Sequence, residues 1–304
     1  MSVAAPTQIR IGRRVLPVSN IDKLLYPAAD FTKGDVIHYY LRVANVLLPH
    51  LKNRPLTLKR YPNGTASLYF YEKRCPIHRP GWMTTTEVKG GKAGAINFCV
   101  VNDAISLAWI ANLASIELHP LLSRAPKVHQ PTMMVFDFDP GPPAGVIQAA
   151  TVALRVRDFL ARLGLQSFPK TSGGKGIHLA VPLNTTVSFD DTKSFSRAIA
   201  QTLERQFPDK VVSNMSKALR KNKVFVDWSQ NDEHKTTACV YSLRARDLPT
   251  VSAPIRWKEL EDAVKKNDPD SLTFQAHEVI DRVSEHGDLF APVLKLKQKL
   301  PTHL

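Results

Sequence analysis

The sequence predicts an α+β fold, in which antiparallel hairpins and helices alternate without a strict βαβ repeat. The first observation is a continuous apolar run at 133–136, closed by Pro140-Gly141, which is typical of a central strand that ends in a turn. The second is a pair of extended runs, 166–171 and 177–181, on either side of a glycine-rich turn, which indicates a β-hairpin. The third is a helix predicted at 146–163, between that strand and that hairpin.

The other elements follow from the spacing of apolar residues. Thr32 to Asp35 resembles a capping box, and the helical spacing behind it predicts a first helix at about 33–48. An almost wholly apolar segment predicts a buried helix from Asn102-Asp103 to His119-Pro120, with His119 at its C-terminus. A further helix and two strands complete the prediction, at Phe195 to Phe207, 224–228 and 237–243. Because the sequence has no repeat, low-complexity tract or distinct linker, we expect 1–304 to form one unit.

The charge balance favours a polyanionic partner. The 304-residue chain carries 41 Lys and Arg against 27 Asp and Glu, a formal net charge of +14. Nucleic acid and an anionic membrane surface both fit such a charge. The most apolar stretch, Ala104 to Leu118, is shorter than the ~20 residues of a membrane span, and no lipidation signal is present. We therefore expect nucleic acid rather than a membrane.

The compartment is indicated by the start of the chain and by its cysteines. Residues 1–20 lack the apolar run of a secretory signal, which favours the cytoplasm. The three cysteines, Cys75, Cys99 and Cys239, are scattered and form no C-x-x-C pair. An odd, sparse set argues against a secreted disulfide framework, so we expect reduced thiols.

Three acids stand at the ends of apolar strands. Asp137 and Asp139 are two apart, so both side chains leave the same face of their strand. Asp227 ends the strand predicted at 224–228. Three such carboxylates could hold two divalent cations, as phosphoryl transfer requires. The alternative is that the aspartates only cap loops where strands end.

The glycine-rich segment 171–178 is a candidate phosphate site. Its small residues let backbone N–H groups approach an anion, and Ser172, Lys175 and His178 add side-chain donors. Gly176 follows Lys175 where a Walker A loop needs Ser or Thr, so the segment is not of that type. An ordinary hairpin turn is the alternative interpretation.

Basic residues cluster in three places, and one cluster is interleaved with aromatic residues. The clusters are Lys59-Arg60, then Lys217, Arg220, Lys221 and Lys223, then Arg244 and Arg246. Tyr61, Tyr69, Phe70 and Tyr71 lie between Lys59, Arg60, Lys73 and Arg74. Such a mixture can stack bases and neutralise phosphate, but an edge strand that packs its aromatics inward is the open alternative.

The order of three motifs resembles one family. Asp137 to Pro140, Thr171 to His178 and Lys223 to Asn231 are similar to motifs I, II and III of the polymerase domain of bacterial DNA ligase D. That domain belongs to the archaeo-eukaryotic primase superfamily, and the resemblance runs from about Leu16 to Leu289. It implies an antiparallel, RRM-like palm flanked by helices at about 130–290. An N-terminal α/β part at about 1–125 would pack on this palm and carry the surface for DNA and its 5′-phosphate.

The resemblance also implies residue roles. The catalytic and metal-ligating residues would be Asp137, Asp139 and Asp227, with two Mn²⁺ or Mg²⁺ ions. The nucleotide would meet Lys59, His119, Ser172, Lys175, His178, Gln230 and Arg244. The opening signature, Asn20 to Pro27 followed by Thr32-Lys33, would hold the 5′-phosphate of a DNA gap through Asn20, Lys23 and Lys33. The template and the DNA would contact Phe70, Tyr71, Arg220, Lys89 and Lys92, the last two in a loop that pairs broken ends.

We therefore expect a metal-dependent, template-directed nucleotidyltransferase that fills gaps and extends DNA ends in non-homologous end joining. By resemblance it would take NTPs or dNTPs, prefer ribonucleotides, work with Ku and a DNA ligase, and act at the nucleoid. The sequence has no ligase K-x-D-G motif, so a stand-alone polymerase and a domain of a longer ligase both stay open.

Two rival functions remain. Four apolar residues before Asp137 resemble the nucleophile motif of haloacid-dehalogenase-like phosphatases, but Gly141 and Pro292 depart from that pattern. A non-catalytic module that binds DNA ends would use the same basic face without needing the acids.

Overall fold

The computed structural model describes residues 7–89 and 94–301, which form a mixed α and β structure. The helices are α1 Lys33–Arg42, α2 Ala44–Leu51, α3 Ala104–Asn112, α4 Val146–Arg162, α5 Phe189–Gln206, α6 Trp257–Lys266, α7 Ala276–His286 and α8 Pro292–Lys295. The first nine strands are β1 Thr7–Ile11, β2 Arg14–Val18, β3 Leu24–Tyr26, β4 Phe31–Thr32, β5 Pro55–Arg60, β6 Phe70–Glu72, β7 Thr85–Val88, β8 Ile96–Val100 and β9 Ser115–Pro120. The remaining strands are β10 Ser123–Arg124, β11 Lys127–Pro131, β12 Met133–Pro140, β13 Phe168–Thr171, β14 Ile177–Pro182, β15 Val211–Val212, β16 Val224–Asp227, β17 Leu243–Ala245 and β18 Pro249–Val251.

The second half of the chain builds a five-stranded sheet in the order β13-β14-β12-β16-β15. All its pairs are antiparallel except the short β15–β16 pair. On the central strand β12, Met134, Phe136 and Phe138 are buried in one hydrophobic cluster with residues of α4 and α5. Since side chains alternate along a strand, Asp137 and Asp139 leave the opposite face, away from the helices. The predicted antiparallel palm flanked by helices is confirmed.

The first half contains a second five-stranded sheet centred on β5. This strand pairs with β6 and β8 and, along most of its length, with β9. The cluster beneath it joins α1, α2 and α3 to segments 239–253 and 276–293. Late parts of the chain therefore complete the core that the early parts begin.

Several predicted elements are confirmed. Thr32 and Asp35 form the predicted capping box, and α1 begins directly after it. The first helix is divided, because the backbone of Val43 leaves helical geometry between α1 and α2. The helix at 146–163, the strand at 133–136 and the hairpin around the glycine-rich turn all form, as α4, β12 and the β13–β14 pair.

The long helix predicted to end at His119 is wrong. Helix α3 stops at Asn112, Ala114 takes a positive φ of 57°, and the chain continues as strand β9 with His119 on it. Every residue of β9 is buried. A continuous apolar run buried on both faces has the same pattern in a strand as in a buried helix, so periodicity alone does not separate the two.

The strand predicted at 237–243 is also wrong for most of its length. Only Leu243 belongs to a strand, β17, because Tyr241 adopts a φ of 64° that interrupts an extended chain. The backbone N–H of Cys239 still donates to the Leu118 carbonyl at 2.8 Å, so the segment lies along β9 without forming a regular ladder.

The expectation of reduced thiols is wrong for two of the three cysteines. Cys75 and Cys99 form a disulfide, while Cys239 is free and buried. The backbone N–H of Cys75 donates to the carbonyl of Asn97 at 2.7 Å, which places the loop after β6 alongside β8. This long-range contact is not encoded in the spacing of the cysteines.

Within 7–89 and 94–301, no helix combines the length and the apolar character that crossing a membrane needs.

Candidate active site

The acids of β12 line a cleft of about 720 Å³ between the two sheets. Asp137 lies opposite Asp227 in the register of β12 and β16, and Asp139 lies on the same face as Asp137. Six of the predicted nucleotide-binding residues, His119, Ser172, Lys175, His178, Gln230 and Arg244, also line the cleft. The fold thus brings together side chains from distant parts of the sequence.

The two acids of β12 are poorly compensated by positive charge. Burial and the nearby charge of Asp227 raise the pKa of Asp137 to about 6. The charge of Asp137, followed by burial, raises the pKa of Asp139 to about 6. Within the described residues, Asp139 has one ion-pair partner, Arg220, whose Nη1 is 4.0 Å from Oδ2. Such a pair of carboxylates is stabilised by any cation that enters between them.

Asp227 is held by its own strand end. Its Oδ1 accepts a hydrogen bond from the Ser229 backbone N–H at 2.9 Å, and its Oδ2 accepts one from Gln230 Nε2 at 2.9 Å. In the part of the chain that the structure describes, no group of three or more His, Cys, Asp or Glu side chains is arranged to bind a metal ion. The chemistry of the donor set nevertheless fits Mn²⁺ or Mg²⁺, because paired carboxylate oxygens are the ligands that these hard cations take.

The glycine-rich turn between β13 and β14 is tightly packed. Ser172 Oγ accepts hydrogen bonds from the N–H groups of Gly174 at 3.2 Å and Gly176 at 3.1 Å, so these donors serve the turn itself. A Cβ on Gly176 would lie 2.5 Å from the Phe138 carbonyl oxygen, which requires glycine there. Lys175 is exposed and lines the cleft. The turn therefore offers an anion this lysine more readily than a nest of free N–H groups.

His178 is buried and lies against the acids. Its Nε2 is 3.3 Å from Asp137 Oδ1, and its Nδ1 is 2.7 Å from Lys170 Nζ. Burial, together with the positive charge of Lys170, holds the pKa of His178 well below its usual range. The ring is therefore neutral near pH 7, and its two nitrogens have different partners.

Glu117 is a residue of the site that the sequence interpretation missed. Its carboxylate lies 2.8 Å from His119 Nε2, 3.2 Å from Lys59 Nζ and 3.1 Å from Arg244 Nε. Burial alone would raise the pKa of Glu117, but the hydrogen bond with His119 and the charges of Arg244 and Lys59 hold it well below its usual range. The available signal was an acid within a wholly buried apolar run, which needs partners to be tolerated.

Phe70 and Tyr71 lie on the edge strand β6 and are 44% and 54% exposed, so they do not pack inward. Lys59 Nζ lies 4.3 Å from the centre of the Tyr69 ring, and the Arg60 guanidinium lies 5.2 Å from that of Phe70. The edge therefore presents aromatic faces beside positive charge. That combination suits stacking on nucleic-acid bases.

The residues of the opening signature lie together at the start of α1. The Lys33 backbone N–H donates to the Lys23 carbonyl at 2.8 Å, and the Lys23 backbone N–H donates to the Asn20 carbonyl at 3.1 Å. Burial and the charge of Lys23 lower the pKa of Lys33. Lys33 Nζ donates to neutral oxygens of Ser19 and Asn112, and Lys23 Nζ donates to Asn63 Oδ1 at 2.9 Å. The two positive charges repel each other, and both lie at a helix N-terminus, where an anion binds favourably. An anionic ligand would relieve this repulsion.

Lys89 and Lys92 were predicted to lie in a loop that contacts DNA. Lys89 follows β7 and is exposed, whereas Lys92 lies outside the described residues. Arg220, predicted to contact the template, lies near the acids, and its guanidinium stacks on Phe225 at 3.8 Å from the ring centre.

The palm, with its acids on the face away from the helices, places the chain in the primase-polymerase class of nucleotidyltransferases. Residues 32–290 match the family described as LigD, primase-polymerase domain. The chain belongs to this family of LigD primase-polymerase domains, as its motifs indicated. The phosphatase alternative finds no support in this membership.

Individual relatives agree with the family. The chain is 42% identical over 278 residues to the multifunctional non-homologous end joining protein LigD of Mycolicibacterium smegmatis, covering 91% of this chain and 36% of that protein. It is 31% identical over 287 residues to the bifunctional non-homologous end joining protein LigD of Bacillus subtilis, covering 94% of this chain and 45% of that protein. The structure of the polymerase domain from Mycobacterium tuberculosis ligase D in complex with DNA matches with a TM-score of 0.85 and 41% identity, over 92% of this chain and 98% of that one. The chain thus spans less than half the length of these two LigD proteins.

Proposed function

We propose that this chain fills gaps and extends DNA ends by templated addition of nucleotides during non-homologous end joining. The observation that carries the proposal is the cleft, in which Asp137 and Asp139 on one strand face the basic side chains Lys175 and Arg244. Paired acids beside cations suit a reaction between a hydroxyl and a triphosphate. The end-joining role rests on the names of the relatives, which are end joining proteins.

Divalent cations, Mn²⁺ or Mg²⁺, would be held by Asp137, Asp139 and Asp227. When bound, two such ions supply the charge that activates a primer 3′-hydroxyl and neutralises the triphosphate and the leaving pyrophosphate. Arg244 and Lys175 add fixed positive charge for the phosphates. Lys59 and His119 are oriented by Glu117, and Ser172 shapes the turn that carries Lys175. Gln230 lines the cleft, where it would contact the nucleotide, and its side chain donates to Asp227.

The DNA would contact two surfaces of the N-terminal part. Asn20, Lys23 and Lys33 are proposed to bind the 5′-phosphate beyond a gap, since among the described residues the two lysine side chains donate to neutral groups. Phe70 and Tyr71 are proposed to stack on the template, with Arg220, Lys89 and Lys92 as further DNA contacts. The solved polymerase domain of M. tuberculosis ligase D is in complex with DNA, which supports this proposal.

The names of the relatives support a proposal on the partners and the place of action. We infer that the chain works beside a DNA ligase and Ku at broken ends in the bacterial nucleoid, and that it accepts ribonucleotides in preference to deoxynucleotides. The support is the names of the relatives, which are multifunctional and bifunctional non-homologous end joining proteins.

The decisive experiment is primer extension across a gap with a 5′-phosphate, in Mn²⁺, with ribo- and deoxynucleoside triphosphates offered separately. We expect templated addition by the wild type and none by Asp137→Ala/Asp139→Ala. Asp209→Ala/Asp270→Ala removes two exposed acids outside the cleft and should extend normally. Tight DNA binding without addition by the wild type would instead indicate a non-catalytic end-binding module.

A further inference from the structure

Lys170, on β13, is buried against His178 and has no role in the function proposed above. Only 5% of the residue is exposed, and it lies opposite His178 in the register of β13 and β14. Its Nζ makes hydrogen bonds of 2.7 Å with His178 Nδ1 and 2.6 Å with Ser252 Oγ. Both partners are neutral groups. A buried lysine without a carboxylate partner is costly, so its place beside an active-site histidine calls for an explanation.

The hydrogen bonds run in series from the Thr171 carbonyl through Ser252 and Lys170 to His178, and the carbonyl, which can only accept, determines the direction of each. Ser252 Oγ–H donates to the Thr171 carbonyl at 2.9 Å, which leaves an Oγ lone pair to accept from Lys170. An ammonium group only donates, so Nδ1 of His178 must accept. A ring that accepts a hydrogen bond at Nδ1 carries its proton on Nε2. That nitrogen is the one 3.3 Å from Asp137 Oδ1.

We propose that Lys170 is a positioning residue, which keeps the His178 proton on Nε2 and the ring directed at Asp137. The tautomer and the orientation of a histidine are commonly set by the partner of its second nitrogen. Ser252, itself buried, anchors Lys170 through its hydrogen bond to Nζ. The importance for catalysis rests on the proposed function of Asp137, whereas the tautomer itself does not.

The tautomer is measured by two-bond ¹⁵N–¹H spectra of protein labelled in histidine, in EDTA at pH 6, with His178 assigned through His178→Gln. Burial, followed by the charge of Arg244, lowers the pKa of Lys170 to about 7, so Lys170 is mostly charged at this pH. We expect the Nε2–H tautomer in the wild type and a shift toward Nδ1–H in Lys170→Met. Lys265→Met, a change at an exposed lysine, should leave the wild-type spectrum. An Nδ1–H tautomer in the wild type, or an unchanged tautomer in Lys170→Met, overturns the proposal.

A second variant covers the case in which Lys170→Met does not fold. Ser252→Ala keeps the lysine but removes its anchor, and a mixture of the two tautomers is expected. A pure Nε2–H signal in Ser252→Ala, when Lys170→Met is unfolded, also overturns the proposal.

Primer extension provides the functional readout. Lys170→Met should lower the rate of nucleotide addition about tenfold, the lower end of what the loss of a histidine-orienting partner costs. DNA binding should stay at the wild-type level, which a general loss of structure would not allow. An equal rate of addition by both proteins overturns the catalytic importance of Lys170. If the tautomer shifts in Lys170→Met but the wild type has no polymerase activity, the proposed function is refuted and the tautomer assignment stands.

Discussion

Glu117 Oε2 lies 2.8 Å from His119 Nε2 on the same face of strand β9. The residues are two apart, so the pleat of the strand itself brings them together. The same carboxylate contacts Lys59 from β5 and Arg244 from β17. One buried acid thus connects three basic groups from three strands at the edge of the cleft.

Glu117→Gln should destabilise the protein and weaken nucleotide binding. The amide keeps the shape but removes the charge that compensates Lys59 and Arg244, and breaking a buried ion pair commonly costs about 3–5 kcal/mol. We expect a loss of this order in the free energy of unfolding from urea titration, and a rise in the KM for nucleotide in primer extension.

Glu72→Gln is the matched control. Glu72 pairs with Arg60 at 2.9 Å but is 22% exposed, outside the cleft. Loss of this ion pair in Glu72→Gln should lower the free energy of unfolding by about 1 kcal/mol or less. Equal losses in the two variants would show that Glu117 has no special role.

The pH dependence of stability should reveal the raised pKa of Asp137. Its folded-state pKa of about 6 lies above the ordinary 3.8, so its contribution to stability is full below pH 3.8 and is lost as the pH rises through 6. Asp137→Asn, measured in EDTA, should therefore be more stable than the wild type at pH 7.5, by about 1–3 kcal/mol. The gain should vanish near pH 4. Thermal melts of both proteins across this range test the sign, and a difference that does not change with pH contradicts the assignment.

The sequence predicted the acids because an alternating pattern identifies the face of a strand without any long-range information. Asp137 and Asp139 leave the face opposite Phe136 and Phe138, as the spacing required. Glu117 could not be assigned in this way, because its strand is buried on both faces and its partners come from β5 and β17. The Cys75–Cys99 disulfide escaped prediction for a related reason, since only the packing of a loop on β8 brings the two residues together.

The aromatic edge of β6 gives a prediction for template binding. Phe70→Ala/Tyr71→Ala should weaken binding of a single-stranded template overhang by about 1–3 kcal/mol per base that is stacked. Fluorescence anisotropy with a labelled overhang measures the loss. Ile77→Ala removes an apolar side chain that is 92% exposed and should bind as the wild type does. A loss of the same size in Ile77→Ala would indicate general surface stickiness instead of stacking.

The pair Lys23 and Lys33 gives a prediction for the 5′-phosphate. Lys23→Gln/Lys33→Met keeps most of the side-chain volume but removes both charges at the start of α1. The preference for a gap with a 5′-phosphate over one without it should disappear, and the salt dependence of binding should fall by about one counterion for each lost contact. Lys52→Gln removes the charge of an exposed lysine at the C-terminal end of α2. It controls for the change in net charge and should keep the preference for the 5′-phosphate. Because Lys33 is buried, a melting curve must accompany the double variant, and Lys23→Gln alone should reduce the preference in a folded protein. If the preference survives in the folded double variant, the phosphate is bound elsewhere on the basic surface.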